Sequence, residues 1–324
     1  MASITLAEAS KLSLDDLVTG VIENIVEVSP IYQMMPFQPI MGNAKVYNRE
    51  NVLGDTQVVG IDGTITAKAA PSFTKVTSSL TTIIGDAEVN GLLQAQGVGG
   101  DLVAQMIASK AKNVGRHFQH MMFEGVANGV STPGSFVFPT SPKFAAADAQ
   151  FDGLRKIATG LGSDQRIKAT DVLSFADLDA LLHAVKSKDG QVDCLVMNPR
   201  TIRSYRALWR ALGGSTPEYV SVGGINVESY AGVPIFRCDW IPADINNSGG
   251  TGTTTDTYVM AMNFDDGTER VGVAGLTGFN NMGLVVQPVG ASETKDNDIY
   301  RVKFYSGLAV YSGLSLAMLH EVSN

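Results

Sequence analysis

The chain has 324 residues, 44% hydrophobic, which is enough to bury a sizeable core and to exclude a disordered chain. A net charge of −8 with pI near 5.0 argues against a groove that clamps nucleic-acid phosphates, because such a groove needs clustered Lys and Arg. Only 17% of residues are charged, against roughly a quarter in an ordinary soluble domain, so much of the surface is uncharged and suited to subunit contact.

Leu14, Leu17, Val18, Val21, Ile22, Ile25 and Val26 recur at helical spacing behind Ser13, a suitable N-cap, with Asp15 and Asp16 in the first turn. They predict an amphipathic helix that Ser29 and Pro30 end. The next run, IYQMMPFQPIMG, carries Pro36 and Pro39 among large apolar side chains and is expected to be an extended strap, not a helix. From residue 42 to 85 the pattern changes to short alternating runs such as TQVVGIDGTITAK and FTKVTSSLTTII, which predict a long hairpin with its tip near Asp62 and Gly63. Each side of about 20 residues reaches up to ~65 Å at ~3.3 Å per residue, beyond the ~26 Å across a 100-residue domain. A two-stranded ribbon is marginally stable alone, so the hairpin is expected to lie on another subunit.

Residues 101–129 predict one long helix of roughly 40 Å, apolar at Leu102, Val103, Met106, Ile107, Val114, Phe118, Met121 and Met122, with a bend near Gly115. After a Gly/Pro/Ser loop, Leu178, Leu181, Leu182 and Val185 mark one face of a second helix. DCLVMN reads as a buried strand, and PRTIRSYRALWRALGG as a helix opened by Pro199 and closed by Gly213 and Gly214. This alternation of helix and strand suggests a compact α/β unit in mid-chain. GINVESYAGVPIFRCDWIP, a glycine- and threonine-rich loop, YVMAMNFDDGTERVGVAGL, and the β-rich runs MGLVVQPVG and YRVKFYSGLAVYSGLSLAMLHEV complete the chain.

Chemistry-bearing patterns are sparse. His117, His120 and Glu124 fall at i, i+3 and i+7 of the long helix, where three ligands could share a face. Arg116 beside them disfavours a second cation, so the expectation is a polar helix face touching a neighbour's hairpin and no metal. Cys194 and Cys238 sit in apolar strand-like runs without metal-ligand or disulfide-framework spacing, and are expected to be reduced and buried. G-x-S-x-G, G-x-x-x-x-G-K-[ST] and H-E-x-x-H are absent, and Gly97, Gly99 and Gly100 are too crowded for a dinucleotide fingerprint. No enzymatic activity and no cofactor are expected. The opening MASITLAEASKLSLDDL lacks the features of a secretory signal and no run approaches ~20 apolar residues, so the chain is expected to be made and kept in the cytosol until assembly.

The order of these parts resembles the major capsid proteins of tailed bacteriophages with the Hong Kong 97 fold, over nearly the whole chain. The resemblance rests on the N-terminal strap, the hairpin in the place of the family's E-loop, and the long helix in the place of its spine helix. Further along, FADLDALLHAV, LVMNPRTIRSYRAL, AGVPIFRCDWIP and YVMAMNFDD look like successive A-domain elements, and YRVKFYSGLAVYSGLSLAML resembles the final P-domain strand. What it implies is an α+β capsid fold: N-terminal arm over 1–41, E-loop hairpin over 42–85, P-domain with spine helix over 86–170, A-domain over 171–282, and closing P-domain strands over 283–324.

It also implies assembly through hexamers and pentamers into an icosahedral virion head, built in the host cytoplasm around double-stranded DNA bound without sequence specificity. Portal and decoration proteins are the family's other partners. Only about a dozen residues precede the first predicted helix, and the C-terminus is short, which suggests a separate scaffolding protein and no built-in decoration domain. Some relatives join an E-loop lysine to a neighbour's asparagine; Lys68 and Lys75 lie in the matching hairpin, where ionic contact is the expectation. The proposed inter-subunit contact set is Asp62, Gly63, Thr64, Lys68, Lys75, Arg116, His120 and Glu124. An encapsulin-type nanocompartment, sharing the fold but enclosing cargo enzymes, is the alternative; an α/β enzyme is a third.

Overall fold

The computed structural model describes residues 31–95, 102–127, 150–213, 216–243, 256–279 and 283–323. The predicted helix around Leu14 to Val26 lies outside them. Ile31–Met34 forms one helical turn, α1, closed by the Met35 amide on the Ile31 carbonyl at 3.0 Å. This departs from the expected helix-free strap: Pro36 and Pro39 follow the turn, so neither removes a hydrogen bond from it. Strand β1 (Phe37–Ile40) comes next and pairs parallel with β11 (Val273–Gly278).

Two strands, β2 (Ala44–Val52) and β3 (Ser72–Ser79), form a two-stranded antiparallel sheet of their own. Strand β4 (Thr81–Asn90) leaves this hairpin and pairs along ten residues with β13 (Asn297–Val310). With β1, β11 and β12 (Leu284–Ala291) these make a five-stranded sheet. A short α2 (Gly91–Ala95) precedes the long helix α3, Leu102–Glu124, whose 23 residues span about 35 Å. It runs unbroken through Gly115 and stops short of the predicted 129. Phe118 of α3 packs against Phe37 of β1 at 5.9 Å, Phe304 of β13 at 5.4 Å and Phe151 at 5.8 Å between ring centroids, joining the helix to the five-stranded sheet.

At the end of α3 two glycines, Gly125 and Gly153, let two backbone segments approach closely. The Gly153 amide donates to the Gly125 carbonyl at 2.8 Å, and a Cβ on Gly153 would come within 2.7 Å of the Met121 carbonyl oxygen. Only glycine fits so close an approach. Helix α4 (Leu154–Thr159) follows.

The remainder builds a seven-stranded sheet in the order β5 (Arg166–Lys168), β14 (Leu316–Ser323), β10 (Asp256–Met262), β6 (Cys194–Met197), β9 (Val233–Arg237), β8 (Ile225–Tyr230), β7 (Glu218–Val222). Two helices lie on one face. Helix α5 (Phe175–Ala184) is opened by a capping box in which the Ser174 and Asp177 side chains each satisfy the other's amide, and α6 (Pro199–Ala211) is opened by the Asn198 side chain. Alternation along the strands divides the core in two. Cys194, Val196, Met260, Met262, Leu316 and Met318 face α3 and α4, whereas Leu195, Met197, Val259, Ala261, Ala317 and Leu319 face α5 and α6. Because both faces are covered, β6 and β10 read as unbroken apolar runs.

The two closing runs part company. The sequence reading sent residues 283–324 back to one region, but β13 stays in the five-stranded sheet while β14 crosses to pair with β10 and β5. A 3-10 turn at Gly313–Ser315, capped by the Ser312 hydroxyl on the Leu314 amide, makes the crossing. Five consecutive buried residues, Leu316 to His320, need a sheet covered on both faces, and the seven-stranded sheet supplies it.

Candidate assembly surfaces

The hairpin arm is rooted on the end of β13. The Tyr47 hydroxyl donates to the Val310 carbonyl at 2.8 Å and its ring meets Tyr311 edge-on at 5.2 Å. Arg49 donates from Nε to the Tyr311 carbonyl at 3.0 Å and from Nη2 to the Val310 carbonyl, while Lys45 pairs with Glu269 at 2.5 Å. Beyond Val52 the ladder stops. The Gln57 side chain holds the two sides together instead, accepting from the Thr66 amide at 2.8 Å and the Ala67 amide at 3.1 Å. At the tip the Gly63 amide closes a turn on the Gly60 carbonyl at 3.0 Å, with Asp62 in the left-handed region at φ 69°. Aspartate tolerates that conformation better than most residues.

Beyond its root, the arm has no core beneath it among the described residues. Val58 and Ile61 are fully exposed, and Leu53, Ile65 and Phe73 are each more than 60% exposed. A contiguous run of large apolar side chains in water marks a surface for another molecule. Asp62, Gly63, Thr64, Lys68 and Lys75 all stand exposed on the arm.

Arg116, His120 and Glu124 are placed differently from the expectation of one outward polar face. The C-terminal half of α3 is wrapped on nearly all sides: Phe118, Gln119, His120, Met121, Met122 and Phe123 are all buried. His120 meets Trp240 edge-on at 5.3 Å, and the Arg116 guanidinium lies 5.7 Å from the centre of the same indole. Glu124 is enclosed. Its Oε2 accepts from Arg155 Nη1 at 2.8 Å and its Oε1 accepts from the Tyr258 hydroxyl at 2.5 Å, with the Arg155 guanidinium 5.4 Å from the Tyr258 ring centre. A buried carboxylate needs such partners, and these two, from α4 and β10, pin the end of α3 to the seven-stranded sheet. Burial pushes the Glu124 carboxyl above its ordinary value although Arg155 pulls the other way, and burial with Glu124 alongside raises the Tyr258 phenol.

The spacing of His117, His120 and Glu124 therefore does not define a metal face, since Glu124 is committed to Arg155 and Tyr258. Among the described residues no three His, Cys, Asp or Glu side chains are grouped to hold an ion. Burial depresses His117, pushes Cys238 up to about 12 and raises Cys194 well above its ordinary value, so both free thiols are inert. Arg49, Gln57, Arg155 and Tyr258 were not singled out from sequence. Arg155 stands beside Lys156 in FDGLRKIATG, and no sequence periodicity marks any of the four.

The fold is that of Hong Kong 97-type capsids and encapsulins. The holo-SrpI encapsulin complex from Synechococcus elongatus PCC 7942 superposes with a TM-score of 0.70 at 17% identity, covering 100% of this chain and 97% of that one. A Mycobacterium phage Ogopogo chain gives 0.64 at 13% identity over 98% and 99%, and the capsid of a native GTA particle gives 0.63 at 12% over 100% of both. No curated protein matches the sequence. The family model for the Type 2A encapsulin shell protein, SrpI-like, matches residues 153–323, more than half of the chain.

This chain belongs to the SrpI-like encapsulin shell family.

The matched stretch begins at the Gly153 turn and takes in α4 to α6, the whole seven-stranded sheet, and β11 to β13 of the five-stranded sheet. The arm and α3 lie before it. The chain is thus a shell-forming, capsid-like protein whose family signature resides in the doubly covered sheet.

Proposed function

We propose that this chain is the subunit of an encapsulin compartment, assembling through hexamers and pentamers into a closed shell that encloses protein cargo in the cytoplasm. The family match over residues 153–323 carries this reading over the viral one. The role is mechanical and not catalytic. Each subunit extends its apolar arm across a neighbour, and many modest contacts under closed symmetry hold the shell where a single contact would not.

The arm's landing site is assigned to the N-terminal half of a neighbour's α3, where Ala104, Gln105, Met106, Ala108, Ser109, Lys112 and Asn113 are exposed. Arg116 stands at the rim of that surface, and His120 and Glu124 support it from within. Expression of the chain alone, followed by electron microscopy and nuclease treatment, tests the assignment. Closed shells that form without a scaffolding protein and hold no protected DNA are the expected result; monomers that close only with viral assembly partners overturn it.

Full-length likeness to the phage Ogopogo chain favours the second reading, a major capsid protein of a tailed phage virion. That reading brings double-stranded DNA, a separate scaffolding protein, a portal protein and a decoration protein as partners.

A further inference from the structure

Helix α6 carries Arg200, Arg203, Arg206 and Arg210 and no acidic residue. At 3.6 residues per turn these four lie within about 120° of one another around the helix, so they form one stripe. All four are exposed. Arg206 pairs with Glu228 of β8 at 2.5 Å; no ion pair joins Arg200, Arg203 or Arg210 to an acid among the described residues. In a chain of net charge −8, this is a local surplus of the minority sign.

The opposite surplus lies at the other side of the same sheet. Asp256 opens β10 and stands in register with Ser323 of β14, whose amide donates to the Asp171 carbonyl at 2.9 Å, so Asp171 and Asp256 flank one strand end. Glu321 is two residues away and pairs with Lys168 at 2.5 Å, with His320 Nδ1 3.4 Å from its other oxygen. The Asp256 carboxyl is raised by burial first and by Glu321 and Asp171 next, as expected of carboxylates crowded together. Strand β8, which Arg206 reaches, is three positions from β10 and four from β14 in the sheet, about 14–19 Å at ~4.8 Å per strand, against a screening length of about 8 Å. The two patches cannot neutralise each other within one subunit.

We propose that the arginine face of α6 docks against the Asp171–Asp256–Glu321 patch of a second copy of this chain. Two different patches on one subunit make a head-to-tail contact, and head-to-tail contacts close rings when the rotation permits. The contact therefore supplies the steering by which identical subunits find one another around a capsomer, and it rests on the shell-forming reading above.

The test uses the full chain with Arg203→Glu/Arg210→Glu, the opposing Asp171→Arg/Asp256→Lys, and all four substitutions combined. Each pair is expected to lower the yield of closed shells by about tenfold at physiological salt, with circular dichroism unchanged, because like charges then face each other. The combined variant is expected to assemble again, since complementarity returns with its sign reversed. Wild-type assembly slows as salt is raised.

Wild-type yield from Arg203→Glu/Arg210→Glu overturns the proposal, as does failure of the combined variant to recover while both pairs remain folded. If the arginine variant assembles normally but loses nucleic acid that wild type carries, the face binds a polyanion and the proposal also falls. Absence of shells from wild type refutes the shell reading instead, and the contact is then judged by whether the same variants weaken wild-type self-association in sedimentation.

Discussion

The hairpin arm and the seven-stranded sheet use the same apolar residue types to opposite ends. In the arm, Val58 and Ile61 are fully exposed and the two sides are held by Gln57 and a β-turn; in the sheet, Val259, Met260, Ala261 and Met262 are fully buried between two helical layers. One region is complete within the subunit. The other leaves its apolar side chains in water, on the surface proposed to meet a second subunit. If the arm makes the proposed contact, stability of the chain and stability of the shell depend on different residues, and a change in one region should leave the other property intact.

Removal of residues 58–68 is the strongest way to break this division. The subunit is expected to melt within a few degrees of wild type, since those residues contribute little to the core, while closed shells disappear from electron micrographs. Normal shells from this deletion would remove the arm's role.

Arg155→Met is the reciprocal change. It leaves Glu124 buried beside Tyr258 without its cation and is expected to cost about 3–5 kcal/mol, read as a lower denaturation midpoint in urea. The same site gives a pH dependence. The folded chain holds the Glu124 proton more tightly than the unfolded chain does, so this contribution is fully present below the unfolded carboxyl range and is lost as pH rises through the folded value. Glu124→Gln should flatten that fall in melting temperature as pH rises above the ordinary carboxyl range.

Gly153→Ala forces a Cβ to within 2.7 Å of a backbone oxygen and is expected to cost about 1–3 kcal/mol by the same unfolding measurement. Ser174→Ala removes the capping box of α5 for about 1 kcal/mol. At the bottom of the scale, Lys68→Arg and Lys75→Arg should change nothing in boiled denaturing gels, which show monomer from wild type as well; a ladder of covalent oligomers would give those lysines a chemical role.

Local pattern made much of this legible. The hairpin with its tip at Asp62 and Gly63, the long helix, the Leu178 helix, the buried DCLVMN strand and the Pro199 helix all follow from spacing over fewer than about 20 residues, where period and turn chemistry act directly. The four-residue turn at Ile31 and the departure of β14 from β13 did not. One was obscured by prolines that proved to lie downstream, and the other depends on which of two sheets offers cover on both faces.

Among the proposed contact residues, the five on the arm were readable because a ribbon too long for its own domain must expose its tip. His120 and Glu124 were not, because helical spacing reports which residues share a face but not whether that face meets water or a sheet. The amino-acid sequence by itself determined the elements and the arm's excess reach, since both are set by interactions between near neighbours in the chain. Tertiary structure alone decided that Arg155 and Tyr258 close over Glu124, that Arg49 roots the arm on Val310 and Tyr311, and that opposite charges stand at opposite sides of one sheet. Each of those joins residues more than 30 positions apart, or sets strands in an order that no local pattern encodes.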